Sequence, residues 1–190
     1  MMQAAGIDLG GTKIEASVFD EHWQAVETKR VPTPNNYEAL IEALRDQVQW
    51  VENAAGQGIP IGMGTPGRHD FKTGNAFMAN VSADGKPLRT DLLAATRRDI
   101  VFGNDCDLFA FSEANLGAGK GFRTVFGLIL GTGIGGGTCF DGVLHQSLNG
   151  TAGEVGHMPI SANLVAEFDL PILPCGCGRH GCYETLGAGP

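Results

Sequence analysis

The chain has 190 residues, a formal net charge of −8 at pH 7 and a sequence pI of about 5.0. This length allows one large domain or two small lobes. The acidic balance argues against a nucleic-acid partner, because phosphate binding needs a clustered positive field. Residues 125–130 form the longest strongly apolar run, which is too short to span a bilayer, and residues 1–5 do not resemble a signal peptide. We therefore expect a cytoplasmic protein with no membrane partner.

The first third of the chain predicts a sheet and one long helix. Alternating or continuous apolar residues predict strands over residues 4–9, 13–19, 24–31 and 59–63. A helix is predicted from Tyr37 to about Ala54, and the glycines at positions 56 and 58 end it. Its predicted buried face consists of Leu40, Leu44, Val48 and Val51.

The middle of the chain contains turns and shorter elements. Residues 68–90 are rich in turn signals, and a strand is predicted over residues 100–103. Two short helices are predicted, over residues 92–97 with Asp91 as the cap and over residues 108–116 with Asp107 as the cap.

The glycine-rich connection at residues 117–121 is the predicted lobe boundary. It separates an N-terminal α/β lobe, residues 1–117, from the start of a C-terminal α/β lobe, residues 118–190. The second lobe is expected to be incomplete, since eight residues follow Cys182. Strands are predicted over residues 124–130 and 138–140, followed by a hairpin turn at Asp141-Gly142.

A strand, a glycine-rich turn and a second strand occur twice, at Ile7-Asp-Leu-Gly-Gly-Thr12 and at Ile129-Leu-Gly-Thr-Gly133. This weak internal repeat suggests two similar lobes, each of which offers a phosphate-facing hairpin to a shared cleft.

The first glycine turn has the composition of a phosphate-binding hairpin. Gly10 and Gly11 can offer backbone N–H groups to phosphate oxygens, and the Thr12 hydroxyl adds a donor. Asp8 is placed to hold Mg²⁺ through water, because Mg²⁺ keeps part of its hydration shell. The spacing matches neither a Walker A loop nor a dinucleotide fingerprint, and an ordinary glycine hairpin is the alternative. We predict that these residues and Lys13 bind the nucleotide.

The second glycine-rich segment, residues 131–137, contains five glycines after an apolar strand. Its bare backbone favours a second phosphate-binding loop, with Gly131, Thr132 and Gly133 as nucleotide contacts. A mobile linker is the alternative, and it fits less well because strand-like sequence lies on both sides.

Asn104 and Asp105 follow the strand predicted at residues 100–103. Ligands of open α/β sheets bind beyond the carboxyl ends of strands. A carboxylate there can accept the proton of an attacking hydroxyl, which makes Asp105 a candidate general base. Helix capping by this pair is the alternative, and position alone favours it.

The chain has five cysteines, and Cys175, Cys177 and Cys182 lie within eight residues. In a chain without a secretion signal, this crowding favours metal binding over disulfides. Three thiolates and a histidine supply the ligand set of a closed, structural zinc site. His157 is the favoured fourth ligand, and His180 is the alternative.

The other cysteines and histidines are expected to have no chemical role. Cys106 and Cys139 lie in apolar surroundings and are predicted to be small buried residues. His22, His69 and His145 are predicted to be surface histidines.

Glu154, His157 and Glu184 flank the cysteines in sequence. Carboxylates recognise vicinal sugar hydroxyls well, and a neighbouring metal would hold such groups rigidly. His157 can use one ring nitrogen on the metal and the other on a hydroxyl. These three residues therefore predict a sugar site beside the metal.

The glycine-rich segments and the cysteine cluster together resemble the ROK family (repressors, open reading frames, kinases). The matching segments are residues 8–13, 66–67, 104–105, 130–137, 150–157 and 175–184. The resemblance implies an α/β fold of the actin-like ATPase (ribonuclease H-like) type, with two lobes and a cleft between them. It implies that Asp105 is the general base. It implies zinc ligation by His157, Cys175, Cys177 and Cys182, and sugar contacts from Gly67, Arg68, Asn80, Asn104, Asp105, Glu154, His157 and Glu184.

The activity that the resemblance implies is ATP- and Mg²⁺-dependent phosphorylation of a hexose or N-acetylhexosamine at the 6-hydroxyl. Residues 79–89, 128–130 and 168–171 are most similar to bacterial N-acetyl-D-glucosamine kinases. Residues 32–34, 124–126 and 148–152 are also similar to the fructokinase branch, so a fructokinase or glucokinase is the alternative.

Two other kinds of protein compete with a kinase. A sugar-responsive repressor would need a DNA-binding helix-turn-helix ahead of the Asp8 strand, and the chain begins seven residues before Asp8. An inactive, zinc-stabilised sugar-binding fragment is the third possibility. A homodimer is expected, because dimers are common among relatives.

Overall fold

A computed structural model describes residues 1–70, 73–78, 80–145 and 153–189. Residue 79 and residues 148–152, which entered the comparison of sugar kinases, lie outside this part, as do residues 150–152 of the family segment 150–157. The strands are β1 Met2–Leu9, β2 Lys13–Asp20, β3 Ala25–Pro32, β4 Ile61–Thr65, β5 Arg68–His69, β6 Ala76–Phe77, β7 Ile100–Asn104, β8 Thr124–Leu130, β9 Ile134–Phe140 and β10 Val143–Leu144. The helices are α1 Tyr37–Ala55, α2 Leu88–Thr96, α3 Asp105–Asn115, α4 Ala162–Phe168 and α5 Glu184–Gly187, with a 3-10 turn at Val155–His157.

The chain divides into two compact units, Met1–Asp105 and Cys106–Pro190. Unit 1 contains a five-stranded sheet in the order β3-β2-β1-β4-β7. β1 pairs antiparallel with β2 and parallel with β4, which in turn pairs parallel with β7. The carboxyl ends of β1, β4 and β7 therefore lie at one edge of the sheet, where Asp8 is opposite Gly64 and Thr65 is opposite Asn104.

The core of unit 1 forms where α1 covers this sheet. The predicted face of α1, with Leu40, Leu44, Val48 and Val51, is buried, which confirms the helical spacing. These residues belong to one apolar cluster with inward-facing strand residues such as Ile7. The helix begins at the Asn36 cap, whose side-chain oxygen accepts the Ala39 N–H at 2.8 Å.

Both predicted short helices begin earlier than expected, so the predicted caps are wrong. α2 begins at Leu88, directly after Pro87, and Asp91 lies in its first turn. Instead of capping the helix, Asp91 accepts a 2.7 Å hydrogen bond from the Tyr37 hydroxyl. α3 begins at Asp105 without any loop after β7, so Asp107 lies inside the helix. The predicted strand at residues 59–63 is also displaced and lies at Ile61–Thr65.

Unit 2 has a smaller sheet in the order β10-β9-β8, and the Asp141-Gly142 turn between β9 and β10 is confirmed. Its apolar cluster contains buried Ala110, Ala114 and Cys139. Cys139 is buried, as predicted, whereas Cys106 is only half-buried.

The predicted glycine loop at residues 131–137 is wrong in its second half. Gly135, Gly136 and Gly137 lie in β9, and residues 131–133 alone form the turn. A Cβ at position 137 would lie 2.8 Å from the Cys106 carbonyl oxygen, and one at position 135 would lie 2.5 Å from the Cys106 sulfur. These glycines let α3 approach β9 closely, so their backbone serves helix packing.

The contacts of α3 also explain why the compact units differ from the predicted division at residues 117 and 118. Ala110 and Ala114 on α3 pack with Cys139 on β9, so the helix groups with the second unit. The division into functional lobes stays a prediction. Among the described residues, no helix is long and apolar enough to cross a membrane.

Candidate active site

The carboxyl edge of the unit 1 sheet carries two acidic side chains, Asp8 in the last turn-facing part of β1, one residue before its end, and Asp105 directly after β7. Asp8 is exposed at the surface, but the protein around its carboxylate partly desolvates it and raises its pKa; the nearby Asp105 carboxylate raises it further, and Lys13 opposes the shift. The Asn104 side chain donates to the Gly67 carbonyl at 2.8 Å, which fixes the chain beside Asp105. Asp105 therefore lies at a strand end near a second carboxylate.

Gly67 brings a predicted sugar-binding segment to this edge. Its φ of 70° favours glycine, and a Cβ there would lie 2.1 Å from the Phe77 carbonyl oxygen. The next residue, Arg68, places its guanidinium 4.7 Å from the centre of the Phe77 ring. Gly67, Arg68 and Asn104, predicted separately from sequence, are thus brought together.

The first glycine turn is held by Thr33, the residue directly after β3. The Gly10 N–H donates to the Lys13 carbonyl at 2.9 Å, which closes the turn. The Thr33 hydroxyl donates to the Gly10 carbonyl at 2.7 Å, and the Thr33 N–H donates to the Thr12 carbonyl at 3.1 Å. Because the Gly10 N–H closes the turn, the donors predicted for phosphate reduce to the Gly11 N–H and the Thr12 hydroxyl. The Lys13 ammonium lies 3.5 Å from the Glu15 carboxylate.

Asn80 lies beside this turn. A Cβ at Gly11 would lie 3.2 Å from the Asn80 carbonyl oxygen, and Asn80 has a left-handed φ of 62°. A predicted sugar residue is therefore next to a predicted nucleotide residue within unit 1.

The second glycine turn, in unit 2, is held by the C-terminal segment. The Gly131 N–H donates to the Gly133 carbonyl at 2.9 Å. The Gly131 carbonyl accepts the Gly189 N–H at 2.7 Å, and the Ile134 N–H donates to a carboxylate oxygen of Glu184 at 3.1 Å. The last two contacts are tertiary, and sequence reasoning missed both.

Unit 2 also gathers the four predicted metal ligands. The ligand atoms of His157, Cys175, Cys177 and Cys182 all lie within 4.8 Å of one another. Cys175 Sγ is 3.5 Å from His157 Nδ1, and Cys177 Sγ is 3.6 Å from Cys182 Sγ. Three thiols and one imidazole at these spacings fit a tetrahedral zinc ion without an open position. His180, the alternative fourth ligand, is exposed and does not belong to this group.

The protein environment shifts the pKa values of two of the thiols in opposite directions. Burial raises the pKa of the Cys182 thiol to about 12. A hydrogen bond from the Arg179 backbone lowers the pKa of the Cys177 thiol. Binding of a metal would release the remaining thiol protons, because thiolates are the ligands.

The predicted sugar carboxylates of unit 2 lie against His157, the predicted histidine ligand. Glu154 Oε2 is 3.5 Å from His157 Nε2, and Glu184 Oε1 is 3.9 Å from His157 Nδ1. The Nδ1 side of the ring faces the thiols, which leaves Nε2 toward Glu154. This arrangement agrees with a histidine that serves a metal with one nitrogen and a polar group with the other.

His69 is not a surface histidine, so that prediction is wrong, whereas His22 and His145 are exposed as predicted. Its Nδ1 is buried and has no hydrogen-bond partner among the described residues, and its Nε2 lies 3.4 Å from the Thr65 hydroxyl. Burial, aided by the positive charge of Arg89, lowers the pKa of His69. The ring packs edge-on against Phe102. A polar residue in a turn-rich segment gave no sequence signal of this burial.

Comparison with known proteins shows similarity along the whole chain. The profile of the ROK family matches residues 4–190. An N-acetyl-D-glucosamine kinase of Yersinia pestis is 43% identical over 188 residues, which cover 97% of this chain and 73% of that kinase. The N-acetyl-D-glucosamine kinase of Yersinia pseudotuberculosis has the same identity and coverage of this chain, with 62% of its own length matched.

Solved structures agree with the fold. The ROK hexokinase of Thermus thermophilus superposes with a TM-score of 0.81 at 37% identity, over 99% of this chain and 61% of that one. A ROK glucokinase of Streptomyces griseus, in complex with glucose and AMPPNP, gives 0.79 at 32% identity, over 97% and 57%. These similarities confirm the predicted α/β fold of the actin-like ATPase type. The chain spans less than two thirds of three of these four proteins.

Proposed function

The chain belongs to the ROK family, and on that premise we propose that the protein is an ATP-dependent kinase for the 6-hydroxyl of N-acetyl-D-glucosamine. The observation that carries the proposal is the position of Asp105, at the end of β7 and close enough to Asp8 to raise its pKa. The 43% identity to N-acetyl-D-glucosamine kinases supports the choice of sugar.

Asp105 acts as the general base. Its carboxylate accepts the proton of the 6-hydroxyl as the sugar oxygen attacks the γ-phosphorus of ATP, and ADP leaves with the electron pair of the broken P–O bond. Asn104 positions the segment before Asp105 through its bond to Gly67. Gly67, Arg68, Asn80 and Asn104 orient the sugar from unit 1.

Asp8 supplies the carboxylate for Mg²⁺, which neutralises phosphate charge when it is bound. Desolvation is the main cause of the raised pKa of Asp8, and the Asp105 charge adds to it. The nearby Asp105 carboxylate supports this role, because a cation relieves the repulsion between two carboxylates. The Gly11 N–H, the Thr12 hydroxyl and the turn at residues 131–133 bind the phosphates. The relative that was crystallised with AMPPNP, an ATP analogue, supports a nucleotide in this fold.

The cluster of His157 and three cysteines holds a structural zinc ion. Its donor set and spacing support zinc over Mg²⁺, which prefers oxygen ligands. Glu154, His157 and Glu184 complete the sugar contacts beside it. A homodimer is part of the proposal.

Glucose is the main alternative substrate, because two structural relatives are a hexokinase and a glucokinase. We would measure ADP release from ATP and Mg²⁺ with N-acetyl-D-glucosamine, N-acetylmannosamine, glucose and fructose. The proposal expects the highest kcat/KM for N-acetyl-D-glucosamine. A preference for glucose or fructose would overturn the sugar assignment and keep the reaction. Absence of ADP release with all four sugars, in a zinc-loaded sample, would overturn the kinase assignment and favour a sugar-sensing protein.

A further inference from the structure

Glu184 contacts two different parts of unit 2 with its two carboxylate oxygens. Oε2 accepts the Ile134 N–H at 3.1 Å. Oε1 lies 3.9 Å from Cys175 Sγ and 3.9 Å from His157 Nδ1. The side chain is 27% exposed, so protein surrounds most of it. One carboxylate therefore accepts a hydrogen bond from the residue after the glycine turn and lies beside two of the predicted metal ligands.

We propose that Glu184 is a positioning residue through which the metal cluster holds the second phosphate-binding turn. This inference rests on the proposed roles of the cluster and of the turn. Ile134 is the first residue after the turn, and its N–H is directed to Glu184. Glu184 in turn follows Cys182 by two residues and begins α5. A metal bound by Cys182, Cys175 and His157 fixes both the backbone of Glu184 and the groups beside its Oε1.

The packing around the carboxylate is tight enough to transmit this position. A Cβ at Gly133 would lie 3.0 Å from Glu184 Oε2, so the absence of a side chain lets the carboxylate reach the turn. A Cβ at Gly187 would lie 3.0 Å from Ile134 Cδ1. Residues on both sides of the contact are thus small.

A second link runs in the same direction. The Gly189 N–H donates to the Gly131 carbonyl at 2.7 Å, so the segment after α5 holds the start of the turn while Glu184 holds its end. Both links come from the eight residues that follow Cys182. Release of Cys182 from a metal would loosen both.

The consequence is that the metal does more than support the sugar contacts. If Glu184 also contacts the sugar, as proposed above, one side chain is shared by the sugar site and the phosphate-binding turn. Loss of the metal then weakens nucleotide binding as well as sugar binding.

Amide hydrogen exchange, measured by NMR on the whole chain, tests the proposal without a need for catalysis. The reporters are the amide of Ile134, the amide of Gly127 in the middle of β8, and the amide of Gly10 in the first turn. Zinc content is measured on each sample. The variants are Glu184→Ala, Glu184→Gln, which keeps an acceptor oxygen, and Glu154→Gln, which alters the other carboxylate beside His157.

In the wild type, removal of zinc by a chelator should speed Ile134 exchange about tenfold or more, with little change at Gly10 and a smaller change at Gly127, because a lost hydrogen bond of about 1.5 kcal/mol corresponds to a factor of about ten. Zinc-loaded Glu184→Ala should already show the fast Ile134 exchange, Glu184→Gln should recover part of the protection, and Glu154→Gln should resemble the wild type.

Two results would overturn the proposal. In the first, zinc binds and Ile134 exchange responds neither to its removal nor to Glu184→Ala. In the second, Ile134 and Gly127 respond equally, since the metal would then stabilise the unit as a whole. A chain that binds no zinc also overturns it, together with the metal site, while the kinase proposal is judged separately by ADP release.

Discussion

The two glycine turns close hairpins of equal loop length, and hydrogen bonds from different segments of the chain hold them. Residues 10–12 connect β1 and β2, and residues 131–133 connect β8 and β9. The first turn connects two strands of a sheet that has a large buried core. The Thr33 hydroxyl donates a hydrogen bond to the turn. The second turn is tied by Gly189 and by Glu184, whose other carboxylate oxygen lies 3.9 Å from Cys175 Sγ in the predicted metal cluster.

The apolar cores of the two units explain this difference. In unit 1 the strands before and after the turn bury residues such as Leu9 and Ile14. In unit 2, the described residues of β8 leave Phe126, Leu128 and Leu130 exposed by 46% or more. Because the described residues of unit 2 form a smaller buried apolar cluster than those of unit 1, we expect polar links and the proposed metal to carry more of its stability. The comparison teaches that two similar hairpins can depend on different parts of the chain.

The largest expected effect is removal of the metal, by a chelator or by Cys182→Ser. Zinc binding to metal-folded peptides is worth about 10–16 kcal/mol, so residues 153–189 should lose most of their hydrogen-exchange protection. Unit 1 should keep its protection, since its core contains no metal ligand. Mass spectrometry of exchanged peptides from both units measures this. Equal loss of protection in the two units would contradict a greater dependence of unit 2 on the metal.

The next effect is a cavity in the core of unit 1. Leu44→Ala should lower the free energy of unfolding by about 2–5 kcal/mol, because Leu44 is fully buried on α1. Zinc content should not change. Leu116→Ala is the matched control, and since Leu116 is 57% exposed the change there should be within about 0.5 kcal/mol. Chemical denaturation measures both, and a similar cost for the two variants would contradict the assignment of this core.

A smaller effect is expected at the tie between β3 and the first turn. Thr33→Val removes the hydroxyl that donates to the Gly10 carbonyl and should cost about 0.5–1.5 kcal/mol. ATP affinity, measured by calorimetry, should fall while zinc content stays the same. Thr28→Val, which removes an exposed hydroxyl of β3 that pairs with Ser17 and lies away from the turn, is the control. If both variants bind ATP like the wild type, Thr33 does not hold the turn.

The smallest effect is a change in pH dependence at Asp8. Its pKa in the folded protein is raised, so its contribution to stability is present below its usual pKa of 3.8 and is lost as the pH rises through the folded pKa. Asp8→Asn should therefore be more stable than the wild type at pH 7 and should approach it below about pH 4. Thermal unfolding across this range, without Mg²⁺, checks the sign. A variant that is less stable at pH 7 would contradict the raised pKa.

The sequence predicted elements whose signals are local. The helix α1 and both hairpins follow from apolar spacing and turn glycines, and the grouping of His157 with three cysteines follows from cysteine spacing with one histidine. Local signals failed where tertiary packing decides the outcome. Gly135–Gly137 look like a loop, but they are needed because α3 packs on β9. Asp91 looks like a cap, but it binds Tyr37, which is 54 residues away.

The same reason separates the predicted site residues from the ties between them. Glu184 could be predicted as a site residue from its residue type, whereas Ile134 carries no chemical signal. Their contact across 50 residues therefore could not be read from the sequence. Burial of His69 likewise depends on Phe102, 33 positions away, which packs on its ring.

The most direct test of the central claim is the rate of phosphoryl transfer from ATP to N-acetyl-D-glucosamine by the wild type and by Asp105→Ala. We expect the wild type to transfer the phosphoryl group to the 6-hydroxyl. The variant should lose about 10²–10⁴-fold or more in kcat and partly retain sugar binding. Turnover of Asp105→Ala near the wild-type rate would contradict the account.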